Sequence, residues 1–237
     1  MIVDLIVVGE GQTEETFIRG VLVPFLALKE VMVHARLIPT SKHGAKGGAL
    51  KRDRVLRYLR NTLRERGNTY VTTFFDLYGL PTDFPGRREA EKIADPIQQA
   101  QAIEATFTAA AIAEAGCRGD RFFAHIQPHE FEALLFSDVT HFGFLESAWE
   151  DRTSSLQAVR DGAFTPEHIN HGETTHPSAR LGALLTPPKY NKVLHGSLLA
   201  ESIGLERMRA ECNHFAAWCD RLEGLRLLRP PAEANPE

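Results

Sequence analysis

The chain of 237 residues has few cysteines, no long apolar run and little surplus of charge of either sign. Its three cysteines are too few for a disulfide framework. Its apolar stretches fall well short of the roughly 20 residues that cross a bilayer, which excludes a transmembrane helix. The amino terminus resembles a strand rather than a signal peptide, because it contains Asp4 and has no basic segment. We therefore expect a cytoplasmic protein that does not enter a membrane.

The charge balance excludes one class of nucleic-acid-binding protein. The chain has 27 Lys and Arg against 31 Asp and Glu, a formal net charge of −4. A uniformly basic coat protein is excluded, whereas a local basic face is not.

Several catalytic signatures are also missing. The sequence has no serine-hydrolase Gly-x-Ser-x-Gly, no His-Glu-x-x-His, no Rossmann glycine pattern and no P-loop Gly-Lys-Ser/Thr. Cys212, Asn213 and His214 make only half of a zinc-finger pattern, and no second Cys/His pair stands at a suitable spacing. Cys212 and Cys219 are seven residues apart near Phe215 and Trp218, so core packing is the better interpretation.

The first 138 residues alternate between apolar strand-like runs and helical patterns. Such alternation indicates crossover units, an α/β fold and a mainly parallel sheet sandwiched by helices. We expect four strands and, between or after them, four helical segments. The strands are predicted at 2–8, 31–39, 70–77 and 121–127, and the helices at about 13–25, 50–66, 88–115 and 129–136.

The pattern loosens beyond Asp138 and becomes mostly helical. We expect a core at 1–138, a helical C-terminal region at 139–228 that completes the site, and a loose tail at 229–237. The tail holds three prolines and little that can pack.

Three of the predicted strands end in or beside acids. Glu10 follows the first strand, Asp76 ends the third, and Glu130 and Glu132 follow the fourth. Ligands of open parallel sheets bind at the carboxyl ends of the strands, so these side chains are candidates for one site. Glu130 and Glu132 diverge by about 200° on a regular helix, which leaves open which of them faces the site.

Two further acids lie close by in sequence. Glu14 stands four residues after Glu10 and either joins the site or serves only as a favourable charge at a helix start. Asp83 lies in a loop rich in proline and glycine and either folds back to the site or caps a turn.

These six acids supply oxygen ligands, which suit Mg²⁺ or Mn²⁺ better than zinc. Carboxylates that converge on one place repel each other, so a cluster makes physical sense with cations bound. Two hard cations in such a cluster support phosphodiester hydrolysis. The candidate ligands are Glu10, Glu14, Asp76, Asp83, Glu130 and Glu132.

A basic segment follows the second strand. Residues 42–66 hold nine cations against Asp53 and Glu65, a local charge of +7. The segment either grips a phosphate backbone or forms a solvated helix face. Four of its arginines recur at spacings of three and four and share one side of a helix. The candidate nucleic-acid contacts here are Lys46, Lys51, Arg54, Arg57, Arg60 and Arg64.

Six motifs together resemble a bacterial family known as domain of unknown function 4276. They are VGEGQTE (8–14), FDLYGLP (75–81), HEFEALLF (129–136), PSARL (177–181), KYNK (189–192) and CNHF (212–215), the last followed by Trp218. The resemblance spans nearly the whole chain. The family is similar to Toprim domains, above all those of the overcoming-lysogenization-defect nucleases, and often accompanies ATPase partners in phage-defence loci.

The resemblance implies a Toprim-like core with acids at Glu10, Glu14 and Asp76. The relatives have Asp-x-Asp after the third strand, whereas position 78 is tyrosine here, and Asp83 is a possible substitute. Their later Asp-Leu-Glu resembles residues 130–132, which favours Glu132. The relatives also use a basic residue against the developing phosphate charge, and the candidates are Arg180, Lys189 and Lys192.

We therefore expect a divalent-metal-dependent nuclease that acts on DNA or RNA, with Glu10, Asp76 and Lys192 catalytic and Arg180 and Lys189 near the nucleic acid. The alternative is a non-catalytic subunit that uses the same fold to bind an ATPase or nucleic acid. A phosphohydrolase acting on small nucleotides is a third interpretation.

Overall fold

A parallel β-sheet with helices on both faces forms the body of the protein, as the computed structural model shows for residues 2–39, 50–169, 172 and 174–228. The strand order is β2-β1-β3-β4, with β5 also paired to β3, and every pairing is parallel. The predicted α/β class is confirmed. The strands are β1 (Val3–Gly9), β2 (Val31–Leu37), β3 (Tyr70–Asp76), β4 (Phe122–Phe123) and β5 (Ile126–Gln127).

The fourth predicted strand is divided into β4 and β5 by a side chain of β3. Thr73 Oγ1 accepts from His125 N at 3.0 Å and donates to His125 O at 3.1 Å. The Thr73 hydroxyl therefore takes the place of a ladder hydrogen bond between the two short strands. Ala124 N turns away and donates to Thr108 Oγ1 at 3.0 Å.

One face of the sheet is covered by α3 (Arg52–Glu65), α4 (Arg87–Ala90) and α5 (Pro96–Ala115). Val55, Leu59 and Leu63 recur at helical spacing and are buried in the same cluster as Phe75 and Phe107. The helical region predicted at about 88–115 is divided into α4 and α5. Its break comes at Asp95, which caps α5 by accepting from Gln98 N at 2.8 Å, and at Pro96, which disfavours a helical residue before it.

The other face is covered by the first helical segment and by the C-terminal region, which share one hydrophobic cluster. Phe17 stacks on Phe74 at 5.5 Å, and Phe215 and Trp218 pack beside the same ring. These elements are α1 (Gln12–Phe17), α2 (Val23–Ala27), α6 (Thr140–Leu145), α7 (Thr153–Asp161), α8 (Pro177–Leu184), α9 (Ser197–Ile203), α10 (Leu205–Glu211) and α11 (Asn213–Glu223).

Several connecting segments are 3₁₀-helical or π-helical rather than α-helical. A π-helical turn, Ile18–Leu22, joins α1 to α2 just before Pro24, and another, Lys192–Gly196, precedes α9. The short helix predicted near 129–136 is a 3₁₀ helix, Phe131–Ser137. Further 3₁₀ turns are Ser147–Arg152 and Pro166–His168.

Within the described residues, no helix is both long and apolar enough to cross a membrane. Lys46 and the predicted tail at 229–237 lie outside the described residues.

Candidate active site

The turn after β1 folds two carboxylates toward the end of the sheet. Glu10 follows β1 directly, and α1 begins two residues later. Gly11 N donates to Glu14 Oε2 at 2.7 Å, which holds the Glu14 side chain back against the turn. Glu14 is thus buried beside the strand end rather than extended into solvent as an ordinary helix-start charge.

The loop after β3 approaches Glu10 closely at a glycine. A β-carbon at Gly79 would lie 2.9 Å from Glu10 Oε2, which is closer than side-chain packing allows. Glycine at this position therefore lets the loop form a cradle for the Glu10 carboxylate.

Asp76 ends β3 at the same edge of the sheet. Its Oδ1 accepts from Phe131 N at 2.8 Å, so it also fixes the start of the 3₁₀ helix. Removal from water raises the pKa of Asp76 well above its usual range, and the charges of Glu14 and Glu132 raise it further.

Glu130 and Glu132 both reach Lys192, although on a regular helix they would diverge. His129 has a left-handed backbone (φ 60°) and Glu130 is extended, so the two glutamates do not share a helical turn. Lys192 Nζ lies 3.5 Å from Glu130 Oε1 and 3.1 Å from Glu132 Oε2. The structure thus brings both acids to one place.

The two glutamates differ in how strongly their surroundings stabilise the ionised carboxylate. Glu130 accepts from Ser178 N at 2.9 Å and from Ser178 Oγ at 3.1 Å, and its Oε2 lies 3.1 Å from His176 Nδ1. Burial opposes its ionisation, but Lys192 and these hydrogen bonds outweigh burial and lower the pKa of Glu130.

Glu132 has much less support. Its Oε1 is buried with no hydrogen-bond partner among the described residues. Burial raises the pKa of Glu132 to about 7, despite Lys192. Burial and the nearby Glu14 likewise raise the pKa of Glu10 to about 7.

The oxygen donors of this set are of the kind that a hard divalent cation prefers. Four carboxylates, Glu10, Glu14, Asp76 and Glu132, have raised pKa values because they share a poorly solvated space with one another. The unpaired Glu132 Oε1 is an available oxygen ligand. A cation with oxygen preference would relieve both the mutual repulsion and the missing hydrogen bond.

Of the three basic candidates, Lys192 is the one that contacts these acids. Arg180 Nε instead donates to Thr175 O at 2.6 Å. Lys189, which immediately precedes Tyr190, is exposed to solvent. Lys192 is 45% exposed, so its ammonium group faces both the acids and solvent.

A cleft of about 670 Å³ begins at Glu10 and runs along the start of α3. Asp83 is exposed and lines this cleft, so it lies near Glu10 without joining the buried acids. The start of α3 contributes a basic wall, in which Asp53 is interspersed with Lys51, Arg52, Arg54 and Arg57.

The basic face of α3 is divided between two roles. Arg60 Nη1 pairs with Glu114 Oε1 at 2.9 Å, and Arg64 Nε donates to Ala115 O at 3.1 Å. These two arginines therefore hold the end of α5, whereas Arg54 and Arg57 line the cleft.

Sequence reasoning missed His176 and Ser178, which support Glu130 from 46 and 48 residues away. Tyr78 stacks on His176 at 5.0 Å, which joins the loop after β3 to this pair. Nothing in residue spacing reveals such contacts, although Ser178 lies within one of the family-like motifs. Arg52, counted only among the cations of the segment, was missed as a cleft residue.

The profile of one family, described as domain of unknown function (DUF4276), matches residues 9–223. The chain belongs to this family. No curated protein and no solved structure matches it. The part of this DUF4276 chain that matches contains every acid of the cluster, the cleft arginines and Lys192.

Proposed function

We propose that this DUF4276 protein is a Toprim-like, divalent-metal-dependent nuclease that hydrolyses phosphodiester bonds of DNA or RNA. The observation that carries the proposal is the convergence of Glu10, Glu14, Asp76 and Glu132 at the carboxyl edge of the sheet, beside a cleft with a basic wall. Phosphodiester hydrolysis needs both parts, a place for cations and a place for a phosphate backbone.

Glu10, Glu14, Asp76 and Glu132 would hold Mg²⁺ or Mn²⁺, with Glu130 and Asp83 at the margin of the site. When bound, such a cation offsets the carboxylate charges and withdraws electron density from the phosphodiester. Glu10 is the acid that both belongs to the cluster and opens on the cleft, which makes it the best-placed side chain to accept a proton from attacking water.

Lys192 would stabilise the charge that develops on the phosphate. Burial opposes its protonation, but Glu132 and Glu130 outweigh burial and raise the pKa of Lys192, so it stays a cation at neutral pH. Lys51, Arg52, Arg54 and Arg57 would bind the phosphates that flank the scissile bond.

The remaining parts of the proposal rest on the resemblance. It associates the family with ATPase partners and phage defence in bacteria, and we extend both to this chain. Tyr78 stands where the nuclease relatives have a second aspartate, so we assign that ligand role to acids elsewhere in the cluster. All three cysteines are free, which agrees with a cytoplasmic location.

A cleavage assay with Mn²⁺ on plasmid, single-stranded DNA and RNA tests the function. We expect wild-type protein to cleave at least one substrate and Glu10→Gln to lose at least about 100-fold in rate, since it removes a ligand and a base. The matched control is Glu15→Gln, an acid of the same turn that pairs with Arg19.

Calorimetry separates the enzyme from a non-catalytic subunit. Mn²⁺ binding by wild type that is weakened in Glu10→Gln supports the proposal. Nucleic-acid binding with no Mn²⁺ binding and no cleavage would instead favour the non-catalytic subunit.

A further inference from the structure

A second group of potential metal ligands lies at the edge strand, outside the acid cluster. Glu104 of α5, His125 between β4 and β5, and His214 of α11 each offer one ligand atom, and these atoms lie within 4.8 Å of one another. Glu104 Oε1 lies 2.8 Å from His214 Nε2 and 3.5 Å from His125 Nδ1. We propose that these three residues bind one first-row divalent transition metal, with Zn²⁺ as the best match.

The ligand types and spacing suit zinc. Two imidazole nitrogens and one carboxylate oxygen are typical zinc donors, and Mg²⁺ does not favour nitrogen. Tetrahedral zinc places its ligand atoms about 3.4 Å apart, given metal–ligand distances near 2.1 Å. The separations of Glu104 Oε1 from the two nitrogens, 2.8 and 3.5 Å, bracket this value, and the two nitrogens lie within 4.8 Å of each other.

His125 has an oxygen within reach of each ring nitrogen. Its Nε2 lies 3.3 Å from Gln127 Oε1, and its Nδ1 faces Glu104 Oε1 at 3.5 Å. The same Glu104 oxygen accepts from Ile126 N at 2.7 Å. With the ring proton on Nε2, the lone pair of Nδ1 is placed to share a metal ion with this carboxylate.

The His125 ring is buried, and a metal ion would bind its neutral form through Nδ1. A Gln127 oxygen on the opposite ring nitrogen is the kind of outer contact that fixes a metal-binding histidine.

The surroundings hold the rings in place and balance the charge. His125 stacks between Trp218 at 4.5 Å and Phe74 at 5.4 Å, which fixes its orientation. Glu167 is buried beside His214 and accepts from its backbone N–H at 2.9 Å. Glu104 and Glu167 bring two carboxyl groups to the site, which suits a divalent cation.

The role we assign to this metal is structural. Its ligands come from three elements that are distant in sequence, so the ion would attach α11 and α5 to the edge of the sheet. The Glu104 side chain is 17% exposed, which leaves a path from solvent for the ion.

Cobalt substitution provides a direct test that needs no catalytic activity. Metal-free full-length protein, prepared with a chelator, is titrated with Co²⁺ while the visible d–d absorption is recorded. We expect one Co²⁺ per chain, displaced by Zn²⁺ and unaffected by excess Mg²⁺. Zn²⁺ should also raise the melting temperature. Absence of the absorption bands and an unchanged melting temperature would overturn the proposal.

Variants locate the site. Glu104→Gln should weaken Zn²⁺ binding by more than 100-fold, and Gln127→Leu by about 10- to 100-fold. The matched control Glu114→Gln lies on the same helix and should bind as wild type does. Glu10→Gln should keep Zn²⁺ binding while it loses Mn²⁺ binding. Wild-type affinity in Glu104→Gln would contradict the assignment.

Discussion

Glu130 and Glu132 lie two residues apart and contact the same lysine, yet their surroundings act on their ionisation in opposite directions. Glu130 has hydrogen bonds from Ser178 and His176, and its pKa is lowered. Glu132 has a buried oxygen without a partner among the described residues, and burial raises its pKa from 4.5 to about 7. Keeping Glu132 ionised in this buried position lowers the free energy of unfolding. This carboxylate is therefore better suited to binding a metal ion than to stabilising the fold.

This contrast predicts a pH dependence of the metal-free protein. Because the folded pKa of Glu132 lies above the unfolded one, the folded protein binds more protons than the unfolded chain between pH 4.5 and about 7. The free energy of unfolding should therefore fall as pH rises through this window, by roughly 3 kcal/mol for this carboxyl. Urea denaturation with a chelator present, from pH 5 to pH 8, measures it.

Neutral variants of the same pair provide the control. At pH 8 without metal, Glu132→Gln should raise the free energy of unfolding by about 1–3 kcal/mol, because it removes a poorly solvated charge. Glu130→Gln should lower it by about 1–3 kcal/mol, because it weakens three charged hydrogen bonds. Changes of the same sign in both variants would contradict this account.

Lys192 is the residue whose replacement should affect chemistry more than binding. Lys192→Met removes the ammonium group beside the acids, and we expect kcat to fall by roughly 100-fold or more. Nucleic-acid affinity should change little, because the cleft cations remain. Lys189→Met, three residues earlier and exposed, is the matched control and should keep kcat. Equal losses in the two variants would remove Lys192 from the proposed mechanism.

At the scale of elements, α3 carries two pairs of arginines with different neighbours. Arg54 and Arg57 line the cleft, whereas Arg60 and Arg64 hold α5. Arg54→Gln with Arg57→Gln should weaken nucleic-acid binding and flatten its salt dependence by up to about 0.9 log unit per lost phosphate contact on duplex DNA. Filter binding at several salt concentrations measures both.

The second pair of α3 is the control on the same helix. Arg60→Gln with Arg64→Gln should leave affinity and salt slope unchanged and cost about 1 kcal/mol of stability, because the Glu114 and Ala115 contacts are lost. A salt slope that changes equally in both double variants would show that the whole helix face binds nucleic acid.

Across the whole molecule, the sequence predicts the strands and helices that have a local residue pattern. It does not predict features that depend on contacts between distant segments. Strands β1 and β3 are predictable because each is a dense run of β-branched or aromatic residues, whereas β2 is marked mainly by Val31 and Val33. Glu10 and Asp76 could be placed at one edge of the sheet because parallel strands end there. The break between β4 and β5 could not be predicted, because it is caused by the Thr73 hydroxyl.

The same dependence on contacts between distant segments explains which residues of the candidate site the sequence did not predict. His176 and Ser178 act on Glu130 from a helix start more than forty residues away. In the sequence, His214 formed only half of a zinc-finger pattern with Cys212. Its approach to Glu104 depends on how α11 lies on the sheet. The proposed boundary after Asp138 stays a prediction. Phe17, Phe74 and Phe215 belong to one hydrophobic cluster that includes residues from both sides of this boundary. This cluster determines whether the two regions unfold together.

That shared cluster predicts a single cooperative unfolding transition. Both tryptophans of the chain, Trp149 and Trp218, lie after Asp138 and are buried in the cluster that also contains β1 and β3 residues. Trp218 Nε1 donates to Thr72 Oγ1 at 3.1 Å, and Tyr70 Oη donates to Arg226 O at 2.7 Å, so side chains tie the C-terminal region to β3.

Tryptophan fluorescence therefore reports the C-terminal region, whereas far-ultraviolet circular dichroism reports the whole chain. We expect the two urea midpoints to coincide, as in two-state unfolding. Trp218→Phe keeps the ring packing but removes the Thr72 hydrogen bond, and it should lower both midpoints together. A fluorescence midpoint clearly below that of circular dichroism would mean that the C-terminal helices leave the sheet first.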